Sequence, residues 1–137
     1  MREKRRIVVV DDEREIALGI ALRLRGAGYD VQAAFSARAG LDLARGGPTD
    51  AIVLDLRMPE MDGFQLLMAL KGEQATAGVP AIVVSANVTE QARTQALGLG
   101  AARFIEKPYQ AEALLSAVAE VLRAAETPRA GPADRRD

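Results

Sequence analysis

The chain contains no cysteine and no histidine. Without cysteine there is no disulfide framework and no thiolate metal site. Without histidine, the usual general base, the usual zinc ligand and any phosphohistidine on this chain are excluded. Tryptophan is absent and only 4% of residues are aromatic, and the net charge is −1. No basic stripe interleaved with aromatics exists, so direct nucleic-acid binding is not expected. Long hydrophobic runs are missing too. Arg2 to Arg6 could open a signal peptide, but the apolar run Ile7 to Val10 gives way at once to Asp11. It is too short for a signal core or a membrane span, so we expect a cytoplasmic protein with no membrane partner.

What is present suffices for one domain. At 137 residues and 49% hydrophobic content the chain can build a single core. Short apolar runs alternate with helical periodicity. Strands are expected at Ile7 to Asp11, Asp30 to Ala34, Ala51 to Asp55, Ala81 to Ser85 and Arg103 to Glu106. Helices are expected at Glu13 to Arg25 (Ile16, Ile20 and Leu24 on one face), after the N-cap Ser36, after Gly63, after the N-cap Thr89, and from Gln110 to about Ala124. In the fourth helix only Leu97 and Leu99 are large apolar groups. Gly63 reads as a turn requirement, and the glycine pairs Gly26/Gly28 and Gly98/Gly100 read as helix C-caps. Repeated βα units with short links imply a parallel sheet wound on both sides. The expected fold is α/β, a flavodoxin-like doubly wound five-stranded parallel sheet of order 2-1-3-4-5. The domain is placed at residues 6–124, with a disordered tail over 125–137 where proline, glycine and mixed charge dominate.

Two of the apolar runs, IVVV and AIVL, end directly on aspartate: Asp11–Asp12 and Asp55. Branched runs of this kind are buried on both faces of a parallel sheet. The carboxylates therefore emerge together at the carboxyl edge, where open α/β sheets keep their ligand sites. Crowded carboxylates either share protons or hold a divalent cation, and we read these as a magnesium-assisted acidic pocket. The fourth strand ends in Ser85 and the fifth in Lys107–Pro108, whereas the second carries nothing comparable. In the 2-1-3-4-5 order that silent strand is an edge.

IVVVDDE, IVLDLRMPEMDGF, IVVSA and FIEKP, in this order and at these distances, make the sequence similar to the receiver domain of bacterial two-component response regulators over roughly residues 6–124. The resemblance implies that Asp55 is the phosphoacceptor, taking a phosphoryl group from a sensor histidine kinase or histidine phosphotransfer protein. It implies Mg2+ held by Asp12, Asp11, Asp55 and the backbone carbonyl of Arg57, with Lys107 bridging phosphoryl oxygens and acids. It further implies Ser85 and Phe104 as the switch pair, a cis bond between Lys107 and Pro108, and modulation of phosphoryl lifetime by Arg57 and Asn87. Such a domain catalyses only its own phosphorylation and dephosphorylation and is not an enzyme in the ordinary sense. Its partner would be a downstream protein or output domain, with a possible homodimer through the fourth helix, fifth strand and fifth helix.

Other readings are weaker. A magnesium-dependent aspartyl-nucleophile phosphohydrolase would want a second acid two residues beyond the nucleophile, but Arg57 stands there. A nucleotide-binding loop would lie between strand and helix, whereas the Gly-x-Gly pieces fall at helix ends. A receiver degenerated to a scaffold would not be expected to keep Asp55 and Lys107. The chain could also be the N-terminal receiver of a longer regulator with a DNA-binding or enzymatic output domain.

Overall fold

The computed structural model describes residues 4–86 and 89–126. Five strands, β1 (Arg6–Val10), β2 (Asp30–Ala34), β3 (Ala51–Leu54), β4 (Ala81–Ser85) and β5 (Arg103–Glu106), alternate with five helices. The helices are α1 (Arg14–Gly26), α2 (Ala37–Arg45), α3 (Gly63–Gly72), α4 (Glu90–Gly98) and α5 (Ala111–Glu126). All neighbouring strands are parallel, in the order β2-β1-β3-β4-β5, as expected from the sequence.

The period-2 alternation of the central strands divides the core. Val8, Val10, Ile52, Leu54 and Val83 face one layer with α2, α3 and α4, while Ile7, Val9, Val53, Ile82 and Val84 face α1 and α5. Burial on both faces is why these strands read as unbroken apolar runs. Residue pairs such as Val10 with Leu54 set β1 and β3 side by side with their carboxyl ends level. The ladder runs one residue past the strands: the Asp11 N–H donates to the Ala34 carbonyl and the Asp55 N–H to that of Val10. Both aspartates thus leave the sheet from fixed backbone.

Local signals set the helix starts. Ser36 and Thr89 accept from the N–H groups of Ala39 and Ala92, and Asp62 forms a reciprocal capping box with Gln65. Gly28 and Gly100, at φ 101° and 103°, close α1 and α4 in the left-handed region. α4 has few large apolar groups, as its sequence indicates. Its buried anchors are Ala92 and Ala96, and Leu97 is exposed, because small side chains let the helix lie close to the sheet. α5 continues through Ala125 and Glu126, where the tail was expected to begin; the remainder of that tail lies outside the described residues. At the amino edge, Arg5 pairs with both Asp50 and Glu126.

Gly63 is needed for space rather than for a turn. A Cβ there would meet the Asp55 carbonyl oxygen at 2.3 Å and the Leu56 Cα at 2.6 Å, both backbone atoms that cannot swing aside. Gly63→Ala is therefore expected to destabilise the protein by about 1–3 kcal/mol and to displace the segment carrying Asp55. Urea denaturation measures the first effect and amide shifts of Asp55 and Leu56 the second.

Candidate functional site

The carboxyl edge gathers Asp11 and Asp55 from neighbouring strands β1 and β3, with Ser85 at the end of β4 and Lys107 just past β5. Asp11 and Asp55 are 2% and 7% exposed, and Ser85 is fully buried. The two aspartates are held alike. In each, one oxygen accepts from the backbone N–H two residues on: Glu13 to Asp11 Oδ1 at 3.0 Å, Arg57 to Asp55 Oδ1 at 3.3 Å. This local turn is what a short acidic side chain at a strand end tends to form. The other oxygen of each accepts from Lys107 Nζ, at 3.0 Å from Asp11 Oδ2 and 2.9 Å from Asp55 Oδ2. One ammonium group therefore joins two carboxylates that come from distant parts of the chain.

Burial dominates the electrostatics. It pushes the Asp11 carboxyl above the ordinary carboxylate range, outweighing the lowering by the Glu13 N–H and by Lys107; repulsion from Asp55 is the smallest contribution. For Lys107, burial acts to lower its pKa, but its hydrogen bonds to Asp55 and Asp11 outweigh this and hold it above the usual lysine value. Repulsion between acids, the argument suggested by the sequence, is thus the smallest of the effects on Asp11. Asp12 is exposed, and among the described residues no three acidic side chains converge as a ready metal cage.

Asp11→Asn follows as a test. With Lys107's attraction already counted, ionising Asp11 still costs stability. The fold binds the Asp11 proton more tightly than the unfolded chain, so stability from this group falls as pH rises from the ordinary carboxylate range through the raised value. The asparagine variant, with chelator present, should melt higher than wild type at neutral pH, and the gain should vanish in acid below the ordinary carboxylate pKa. Thermal melts across that range check it.

Asp12, Arg57, Asp62 and Phe64 line an open cleft of about 520 Å³ beside the paired acids. The chemistry of the available donors fits a hard cation: carboxylates at 11, 12 and 55 and a backbone carbonyl at 57, with no histidine or cysteine in the chain. So few protein oxygens suit an ion that keeps several waters. Lys107–Pro108 is cis, as the resemblance implies. Phe104 is half-buried on β5 against the α2/α3/α4 layer. Asn87, the other modulating position, lies outside the described residues.

Two residues near Phe104 were not singled out from the sequence. The Arg93 guanidinium on α4 lies 5.0 Å from the Phe104 ring centroid, and its Nη2 is 3.7 Å from Glu106 Oε1. An arginine on a weakly amphipathic helix gives no local signal of such a contact. Only the placement of α4 over β5 creates it.

A doubly wound parallel sheet with acids and a lysine meeting at its switch point defines the class of open α/β domains whose ligands bind at the carboxyl edge. Within that class, the chain belongs to the response regulator receiver domain family, whose model matches residues 7–119. It is 35% identical over 118 residues to the DNA-binding dual master transcriptional regulator RpaA of Synechocystis, covering 86% of this chain and 49% of that protein. It is 34% identical to response regulator MprA of Mycolicibacterium vanbaalenii, covering 86% and 50%. The chain thus spans about half the length of these curated relatives. Among solved structures, a CheY-like receiver domain protein from Methanospirillum hungatei superposes with a TM-score of 0.85 at 27% identity, over 90% of this chain and 98% of that one. Chemotaxis protein CheY4 of Vibrio cholerae gives 0.82 at 26%, over 86% and 98%. Receiver domains are signalling domains of two-component systems rather than classical enzymes, and the family is generally Mg2+-dependent. Among the described residues no helix is long and apolar enough to cross a membrane.

Proposed function

We propose that the chain is a phosphoacceptor switch in which Asp55 receives a phosphoryl group from a phosphohistidine of a sensor kinase or phosphotransfer protein. A carboxylate oxygen of Asp55 attacks phosphorus in line; the P–N bond breaks, and the imidazole leaves with the electron pair. The observation that carries this reading is the Lys107 ammonium hydrogen-bonded to Asp11 and Asp55 at once. Lys107 holds the acceptor oxygen toward the open edge and offers a mobile charge to the arriving oxygens. Catalysis of such a transfer is mainly positioning and charge neutralisation. Asp11, Asp12, Asp55 and the Arg57 carbonyl would hold Mg2+, which supplies further neutralisation of the transferring group.

The phosphoryl group brings negative charge that needs a new donor, and the Ser85 hydroxyl at the neighbouring strand end supplies it. Phe104 then turns into the space released, changing the α4–β5–α5 surface. That surface would meet a downstream protein, an output domain or a second copy of the chain. Because the relatives are about twice as long, we favour a receiver that acts on an attached or separate output, located in the cytoplasm.

The test is incubation with a small acyl phosphate, with and without magnesium. A magnesium-dependent, alkali-labile mass gain of one phosphoryl group is expected; no gain under either condition overturns the reading. Ser85→Ala should still be labelled, yet the distal amide shifts from Thr89 to Gly100 and Ala102 to Lys107 seen in wild type should be largely muted. Equal distal shifts in both proteins would remove Ser85 from the route.

A further inference from the structure

The switch surface carries a contact that the phosphoacceptor reading does not use. In the β4–β5 register Val83 pairs with Phe104 and Ser85 with Glu106. Val83 faces the α2/α3/α4 layer, so Ser85, Phe104 and Glu106, each two residues on or directly paired, project toward α4 as well. Arg93, one turn into α4, reaches two of them: its guanidinium lies over the Phe104 ring and pairs with the exposed Glu106 carboxylate.

We propose that Arg93 is a latch that holds Phe104 in its half-buried resting position beneath the guanidinium and thereby sets the resting bias of the switch; this rests on the phosphoacceptor reading for its functional meaning. The ring is attracted to the guanidinium through its negative face. Arg93 cannot follow the ring inward, because that would pull it from Glu106 and bury a charge without its partner. Each further inward turn of Phe104 therefore gives up the stacking contact, whereas the half-buried position keeps it. Arg93 makes its contacts to Phe104 and Glu106, and not to Asp11, Asp55 or Lys107. It acts only through Phe104 and is a positioning residue. A cation–π contact at a partly exposed site shifts such an equilibrium by about two- to fivefold, enough to alter the resting state without preventing activation.

The sequence has three phenylalanines, so 4-fluorophenylalanine labelling gives three resolvable signals, with Phe104 assigned by Phe104→Leu. In wild type, beryllium fluoride with magnesium should move the Phe104 signal to its inward position. In Arg93→Ala without the mimic, the signal should lie part-way along that path, and the mimic should bind about two- to fivefold more tightly. Arg93→Lys, which keeps a cation over the ring, should stay near wild type. Glu106→Gln, which frees the guanidinium, should fall between. If wild type responds to the mimic while Arg93→Ala matches it in both ring signal and mimic affinity, the latch is overturned. If wild type ignores the mimic but the ring still moves in Arg93→Ala and not in Arg93→Lys, the latch stands and the phosphoacceptor reading falls. If the ring moves in neither protein, both fall.

Discussion

Asp55→Asn is expected to take up no phosphoryl label from a small acyl phosphate or a phosphorylated kinase, while its far-UV circular dichroism stays that of wild type. The amide matches the carboxylate in volume and can still accept from the Arg57 N–H, which Asp55 Oδ1 does at 3.3 Å, so the local turn survives. It is neither a nucleophile nor an anion. The expected change is therefore loss of labelling rather than a reduction, read by intact mass. Undiminished label in Asp55→Asn would place the acceptor elsewhere.

The second large effect is at Lys107. Lys107→Met keeps the length of an unbranched stem but removes the charge that joins Asp11 and Asp55. Both carboxylates are nearly inaccessible, with side chains 3% and 9% exposed. Removing one partner from a buried ion pair costs about 3–5 kcal/mol because a charge is left uncompensated. We expect a loss toward the low end of that range at neutral pH with chelator present, since one of the two acids can take a proton. Lys107's own pKa is raised, so its contribution is full below the ordinary lysine value and disappears only as pH climbs through the raised one. Without Lys107, Asp11, already pushed up by burial, holds its proton still more tightly in the fold than when unfolded, so the deficit should shrink as pH falls. Chemical denaturation at neutral and acid pH checks both statements. A variant as stable as wild type at neutral pH would mean that the pairing carries no net stability.

The sheet was legible because its signals are local. A run such as Ile7 to Val10 can be buried on both faces only in a covered parallel sheet, and Ser36 and Thr89 announce helix starts by chemistry that acts within one turn. Direction was harder to read. Asp11 and Asp12 are adjacent, and the sequence does not say which turns inward; strand register decides it, leaving Asp11 buried and Asp12 exposed. The crowding argument counted both as inward for that reason. Gly63 looked like a turn glycine because its neighbour in space, the Asp55 backbone, is remote from it in covalent logic. Ala92 and Ala96 gave no sign of anchoring α4, because the packing of that helix on the sheet is not visible in the sequence. The roles of Ser85 and Phe104 rest on family resemblance, and Arg93 could be found only once helix and strand were placed against each other.

The Arg5 pairing with Glu126 has a mechanical meaning. The first strand and last helix meet at the pole opposite the paired acids, a full strand length away, about 15 Å at 3.3 Å per residue. Cargo fused at either end of the domain would hang from the same post, outside arm's reach of the chemistry. Such cargo would sense phosphorylation through the α4–β5–α5 surface, as a rudder answers the wheel through the linkage between them, and not by touching the acceptor.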